Sequence, residues 1–117
     1  MADLRSKGPG GLNLLTASEA SALLDGGKAT SAGLVSDCLA RIDAREPAVH
    51  AWCHIDREAA LAQARVRDAE PRRGPLHGIP VGIKDIFDTY DMPTAYGSGI
   101  YRGHTPHADT AAVGLLR

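Results

Sequence analysis

Lys84 has the sequence position best suited to chemistry. It ends the apolar run IPVGIK at residues 79–84. If this run is a strand, Lys84 shares its face with only a proline and a glycine, because successive side chains point to opposite faces. Glycine inside a strand often marks the close approach of a ligand or another backbone. Burial in such a place favours the uncharged amine, which can accept a proton. A solvated lysine at a strand end is the alternative that the spacing leaves open.

Two other polar residues near this run have simpler interpretations. Ser98 lies in YGSG, which departs from the G-x-S-x-G pattern because the second glycine comes one position too early. We therefore expect a turn residue there. Asp85 follows Lys84 directly and would point to the opposite face of a strand. A turn-forming or capping role is expected for it, with orientation of the loop as the alternative. The spacing does not support a Ser–His–Asp triad using Asp85 or Asp88.

The histidines and cysteines do not predict a metal site. His50 and His54 form one possible pair of metal ligands, and His104 and His107 form the other. Neither pair has a carboxylate pattern such as H-E-x-x-H. Cys38 and Cys53 are too few for a disulfide framework or a four-ligand zinc site, and we expect free thiols. No cofactor is expected.

Four helices are predicted from capping residues and apolar stripes, at 17–25, 31–44, 57–68 and 109–117. Thr16 and Glu19 form a capping-box pattern before the first helix. Pro47 should end the second, because the residue before a proline resists the helical region. Asp56 and Asp109 are the expected N-caps of the third and fourth helices.

Two short strands are predicted near 49–55 and 79–83, where apolar and other residues alternate or an apolar run is bounded by turn formers. Helices that alternate with strands are typical of an α/β fold. Residues 1–12 are polar and glycine-rich, which predicts a flexible N-terminal arm. The last apolar stripe stops after about two helical turns. We therefore expect residues 13–117 to be an incomplete domain.

The charge balance excludes some partners. The chain has 117 residues, with 13 basic and 14 acidic side chains. This balance gives no electrostatic reason to expect nucleic acid or an acidic membrane surface. No apolar segment approaches the ~20 residues of a membrane span, and none resembles a signal peptide. A cytoplasmic location is therefore expected.

Residues 75–85, PLHGIPVGIKD, resemble the segment of amidase-signature enzymes that presents their catalytic lysine. Upstream, LTASEASALLDGGKATSAGLVSDCLARID resembles the family's two opening helices, and AVHAWCHIDREAALAQARVRD its first strand and following helix. Downstream, MPTAYGSGIYRGHTPHADTAAVGLLR resembles the family's next segment. The similar segments occur in family order and cover nearly the whole chain after residue 12.

This resemblance implies the N-terminal part of a large, mixed, twisted sheet covered by helices. It also implies a Ser–cis-Ser–Lys triad in which Lys84 takes a proton through a bridging serine, so that a second serine attacks an amide carbonyl. The family's two serines lie in glycine- and serine-rich motifs beyond the similarity seen here. We therefore expect the 117 residues alone to be inactive.

The main functional prediction is an amidase that converts carboxylic amides to acid and ammonia or amine. A fragment resembling the amidase-type component of a glutamine-dependent tRNA amidotransferase is the alternative. Two non-catalytic alternatives also stay open: a truncated or split-gene product, and a small binding module. The expected partners are a small-molecule amide and either a C-terminal remainder or a second copy of the chain. Direct contact with nucleic acid or membrane is not expected.

Overall fold

The computed structural model describes residues 10–117, which fall into two compact units divided after Pro80. The first unit contains a 3-10 helix, Leu12–Leu14, and three α-helices: α1 (Ala17–Asp25), α2 (Ser31–Val49) and α3 (Arg57–Ala69). The second contains a 3-10 helix, Gly99–Tyr101, and α4 (Ala111–Leu116). All four predicted α-helices are confirmed. The predicted flexible arm falls largely on residues 1–9, outside the described residues.

Side-chain caps start three of the α-helices. The Thr16 hydroxyl accepts the Glu19 N–H at 3.2 Å, and the Glu19 carboxylate accepts the Thr16 N–H at 2.8 Å. This is the predicted capping box, and the hydrogen bonds from Thr16 lower the pKa of Glu19. Thr30 caps α2 by accepting the Gly33 N–H at 3.0 Å. Asp56 caps α3 as predicted, accepting the Ala59 N–H at 2.9 Å.

The prediction that α2 ends before Pro47 is wrong, because the helix continues to Val49. Proline is costly inside a helix because it removes one N–H and crowds the preceding turn. In α2 the loss is one hydrogen bond, the one that the Asp43 carbonyl would otherwise accept, and the helix continues for two residues beyond Pro47. The helix ends instead at His50, which adopts a left-handed conformation (φ 51°) and donates its N–H to the Glu46 carbonyl at 2.9 Å. The Glu46 side chain also accepts the Trp52 N–H at 2.8 Å.

The two predicted strands, near 49–55 and 79–83, are also wrong in this structure. Residues 10–117 contain no β-strand. Val49 belongs to α2, and the next five residues are exposed and irregular. Pro80 has no N–H to offer a sheet. Apolar alternation describes which face a strand would bury, but a strand also needs a neighbour for its backbone hydrogen bonds. The described residues supply no such neighbour, so they show helices without the sheet of an α/β fold.

The first unit is held together by the packing of α2 against α3 and of α2 against the Leu12–Leu14 turn. Its buried apolar residues are Ala20, Leu34, Val35 and Ala64. Three of these lie on the stripes predicted from helical spacing, and Ala64 lies on the alanine-rich face of α3. Small side chains on that face allow the two helix backbones to approach closely.

Two carboxylates, the buried Asp37 and the exposed Asp68, tie backbone amides of the first unit to its helices. Asp37, which is buried on α2, accepts the N–H groups of Gly10 and Leu12 at 3.0 and 2.7 Å. Asp68, on α3, accepts the N–H groups of Ser31 and Ala32 at 2.6 and 3.0 Å. Both of these amides belong to the first turn of α2 and have no partner within the helix. Asp68 thus joins the end of α3 to the start of α2.

The loop after α3 is fixed to the same place. The buried Ser31 hydroxyl donates to the Gly78 carbonyl at 2.7 Å. Gly78 has a φ of 83°, and a Cβ there would lie 3.2 Å from the Ser31 Cβ. Only glycine meets both conditions without strain. Arg72 supports the same loop by donating to the His77 carbonyl at 3.0 Å.

No helix among the described residues is long and apolar enough to cross a membrane.

Replacing Asp68 by alanine should lower the free energy of unfolding of the first unit by about 1–3 kcal/mol, since the buried Ser31 N–H loses its acceptor. Asp25→Ala is the control, because Asp25 is exposed and pairs with Arg72 at 3.3 Å. An exposed pair is worth about 0–1 kcal/mol. Urea unfolding followed by circular dichroism at 222 nm measures both variants. Equal stabilities for the two variants would contradict the role given to Asp68.

The second unit exposes large apolar side chains, with Leu115 88% and Ile100 89% accessible. We expect the isolated 117-residue chain to self-associate, since such side chains favour contact with other apolar surfaces. Replacing both residues by glutamine should shift sedimentation-velocity profiles towards the monomer. A monodisperse monomer formed by the unmodified chain would contradict this expectation.

Candidate active site

Lys84 lies in the irregular part of the second unit, and its side chain is exposed. The crowded, dry strand face expected around it is not formed by the described residues. Its backbone is nevertheless fixed, because the Lys84 carbonyl accepts the N–H groups of Ile86 at 2.7 Å and Phe87 at 3.1 Å. The first of these bonds closes a three-residue turn with Asp85 at its centre. The turn determines the direction in which the chain leaves Lys84.

Asp85 links this turn to a later part of the unit. Its carboxylate accepts the Ala95 N–H at 2.7 Å, ten residues further along the chain. The turn-forming role expected for Asp85 agrees with its place at the centre of this turn, while its carboxylate bonds to a distant amide and does not act as a local cap. The alternative, in which Asp85 orients the loop, fits this hydrogen bond. In the described residues Asp85 and Lys84 form no ion pair, as expected for neighbouring residues that point apart.

Thr94 anchors the segment to which Asp85 is bonded. It is 1% exposed, and its N–H donates to the His104 carbonyl at 2.8 Å. Its hydroxyl donates to the Phe87 carbonyl at 3.3 Å. Residues 85–87 and 94–95 are therefore joined by two hydrogen bonds, from the Asp85 side chain and to the Phe87 backbone. The sequence does not mark Thr94 as a buried anchor. The nearest signal is the density of turn-forming residues around it, which indicates an irregular segment.

Asp88 extends this connection by one more residue. Its carboxylate accepts a hydrogen bond from the Tyr96 hydroxyl, and its backbone carbonyl accepts the Thr110 N–H at 3.0 Å. The hydrogen bond to Asp88 raises the pKa of Tyr96. Tyr96 has a φ of 53°, which non-glycine residues rarely adopt. Tyr96 also packs edge-on against Tyr101, with ring centroids 5.1 Å apart.

Arg117, the last residue of the second unit, bonds to residues earlier in the same unit. It forms ion pairs with Asp109 at 2.6 Å and Asp91 at 2.7 Å, and its guanidinium lies 4.7 Å from the centre of the Tyr90 ring. Arg117 lowers the pKa of Asp109, mainly through their hydrogen bond. Asp109 also accepts the Tyr90 N–H at 3.0 Å.

The prediction that Asp109 is the N-cap of the last helix is wrong, since the cap of α4 is Thr110 and the Asp109 carboxylate bonds to the loop at Tyr90 instead.

Ser98 has the structure of a turn residue, as predicted. Its hydroxyl accepts the Ile100 N–H at 3.3 Å, and its own N–H donates to the Ala95 carbonyl at 2.9 Å.

The histidines are dispersed: His50 ends α2, and the His104 ring lies near Tyr96 and Tyr101. Within residues 10–117, no three His, Cys, Asp or Glu side chains are grouped so that they could hold a metal ion. Cys38 and Cys53 are free thiols, and burial raises the pKa of Cys38.

The arrangement supplies one chemical group, the Lys84 amine, on a backbone turn held by Asp85. Such a group can accept and return a proton when it is uncharged. It needs a separate nucleophile and separate donors for an oxyanion before it can cleave an amide. The described residues place no serine hydroxyl in hydrogen-bond contact with Lys84.

Comparison with known proteins shows which family the chain resembles. The family model for amidases matches residues 33–117. The chain is 48% identical to the glutamyl-tRNA(Gln) amidotransferase A-subunit of Chloroflexus aggregans over 109 residues, which are 90% of this chain and 22% of the relative. It is 44% identical to the protein of the same name from Streptomyces avermitilis over 107 residues, 88% of this chain and 21% of the relative.

A more distant relative gives the same result. The glutamyl-tRNA(Gln) amidotransferase A-subunit of Rhodopirellula baltica is 37% identical over 108 residues, 89% of this chain and 22% of the relative. The chain spans about a fifth of the length of the curated relatives it matches. The family match includes Lys84 and the whole second unit. The resemblance stated from the sequence is therefore confirmed, and the chain belongs to the amidase family.

Proposed function

We propose that this chain is the lysine-bearing portion of an amidotransferase A-subunit, which releases ammonia from glutamine for transfer to glutamyl-tRNA(Gln). The observation that carries this proposal is the similarity to these A-subunit proteins over nine tenths of the chain. The similarity favours the alternative function considered from the sequence over a general amidase. The coarser activity, cleavage of an amide C–N bond, is common to both.

In this proposal Lys84 is the base of a Ser–cis-Ser–Lys triad. Its uncharged amine accepts a proton from a bridging serine, which takes the proton of the nucleophilic serine. The nucleophile attacks the side-chain amide carbon of glutamine, and the proton is delivered to the departing nitrogen, which leaves as ammonia. Water then attacks the resulting ester, and glutamate is released. The support for Lys84 in this role is its place in GIPVGIKD, together with the turn that fixes its backbone.

We further propose that protein partners and a charged tRNA complete the reaction. The relatives' name describes one component of an enzyme that acts on glutamyl-tRNA(Gln). The chain itself has a formal net charge of −1 and so lacks the net positive charge that favours binding to a phosphate backbone. This charge favours recognition of the tRNA by other parts of the assembly, in keeping with the expectation that this segment does not contact nucleic acid directly.

A simple amidase is the second candidate, because the family match is to amidases in general. For either activity, the α/β domain with a mixed sheet that the resemblance implies stays a prediction for the complete protein. The inactivity of the 117 residues alone also stays a prediction. Its reason is chemical: a base without a nucleophile or oxyanion donors does not cleave an amide.

Lys84→Ala in a full-length enzyme carrying this segment should reduce ammonia release from glutamine by at least about 10²–10⁴-fold, the usual contribution of a general base. Lys84→Arg should be nearly as damaging, since arginine stays protonated. Lys28→Ala is the control, because Lys28 is an exposed lysine in the turn after α1. A coupled glutamate dehydrogenase assay measures the ammonia. An active Lys84→Ala enzyme, or an equal loss in Lys28→Ala, would contradict the role of Lys84.

Substrate preference separates the two candidate functions. The full-length enzyme with its partner proteins should release ammonia from glutamine in preference to acetamide or benzamide, and should convert glutamyl-tRNA(Gln) to the glutaminyl form. Steady-state kcat/KM values for the three amides and acid-gel analysis of the tRNA provide the measurement. Turnover of the simple amides without turnover of glutamine would favour the general amidase. The isolated 117 residues should release no ammonia from any of them.

A further inference from the structure

Asp85 occupies a position from which it can set the placement of Lys84 without touching substrate. It is the central residue of the turn closed by the Lys84 carbonyl and the Ile86 N–H, which are 2.7 Å apart. Any change in the backbone angles of Asp85 therefore changes the direction of the chain on both sides. The Lys84 side chain leaves the backbone one residue before this point.

The partner of Asp85 is firmly held. Its carboxylate accepts the Ala95 N–H at 2.7 Å, and the preceding residue, Thr94, is 1% exposed and bonded to two other backbone carbonyls. The residue after Ala95 is Tyr96, whose hydroxyl donates to Asp88. The segment on which Asp85 rests is thus fixed on both sides of the hydrogen bond.

We propose that Asp85 is a positioning residue for the reaction, which holds the Lys84 backbone at the turn through its hydrogen bond to the Ala95 N–H. The inference rests on the proposed function, because it presumes that Lys84 is the base. Without the Asp85 carboxylate the Ala95 N–H loses its partner, and the turn keeps only the two bonds to the Lys84 carbonyl. Since a catalytic group displaced by about 1 Å can cost on the order of 10²-fold in rate, the expected effect is on kcat.

The hydrogen bond, and not the negative charge, is the active feature in this proposal. Asparagine keeps an acceptor oxygen at the same place and removes the charge. A hydrogen bond from an amide to a neutral acceptor is weaker than one to a carboxylate, by a factor of less than about ten. Alanine removes the acceptor altogether. The two variants therefore separate the contributions of the hydrogen bond and the charge.

The experiment measures kcat and KM for glutamine in full-length enzymes carrying Asp85→Ala, Asp85→Asn or the control Asp91→Ala. Asp91 is a carboxylate of the same unit that pairs with Arg117 at 2.7 Å. We expect Asp85→Ala to lower kcat about 10²-fold with KM little changed. Asp85→Asn should recover activity to within about tenfold of the unmodified enzyme. Asp91→Ala should keep kcat close to that of the unmodified enzyme.

Thermal unfolding of each variant is recorded in parallel, so that a loss of folded protein is not mistaken for a loss of rate. If Asp85→Ala does not fold, Asp85→Asn decides the matter: a kcat within about tenfold supports the proposal, and a larger loss overturns it. Unchanged kcat in Asp85→Ala, or equal losses in the alanine and asparagine variants, would also overturn it. An active Lys84→Ala enzyme would instead refute the proposed function, whatever the Asp85 variants show.

Discussion

The backbone of residues 81–117 must satisfy its N–H and C=O groups with little help from regular structure. Only a three-residue 3-10 helix and the six-residue α4 lie in this range. Leaving buried backbone groups without partners costs about 1–3 kcal/mol each. Side chains therefore replace the backbone hydrogen bonds of a helix or sheet. Asp85 accepts the Ala95 N–H, Thr94 donates to the Phe87 carbonyl, and Asp109 accepts the Tyr90 N–H.

The same constraint explains how an exposed lysine can still be accurately placed. In the proposed role Lys84 needs freedom at its amine and rigidity at its backbone, and these two requirements fall on different atoms. Its carbonyl is held by two N–H groups, while its side chain stays accessible. In the first unit the helices satisfy most of the backbone, and carboxylates accept N–H groups at the helix ends, as Asp68 does, and in the adjoining loops, as Asp37 and Glu46 do. Both units thus use carboxylates that accept hydrogen bonds from backbone amides, the first to join helices and loops and the second to hold irregular backbone.

Local signals predicted what depends on local interactions. The capping pattern of Thr16 and Glu19 and the cap at Asp56 give helix starts that the structure reproduces, because a cap involves residues three positions apart. The prediction for the end of α2 is wrong, since the helix continues past Pro47 and ends at His50 in a left-handed conformation that histidine does not signal in the sequence. The strands could not be settled from period alone, because pairing depends on distant segments. The bond between Asp85 and Ala95 crosses ten residues of irregular chain, and no spacing rule leads to it. Lys84 could be selected from the sequence because residues 75–85 resemble the segment that carries the catalytic lysine in a known family.

The central claim is that the Lys84 amine accepts the proton that activates the nucleophile. The most direct measurement is chemical rescue of Lys84→Ala in the full-length enzyme by added methylamine or ethylamine, with ammonia release from glutamine as the readout. We expect the variant, inactive alone, to regain turnover as the concentration of free amine rises, while Lys84→Arg and the unmodified enzyme show no such gain. Turnover by Lys84→Ala at the unmodified rate, with no dependence on added amine, would contradict the claim.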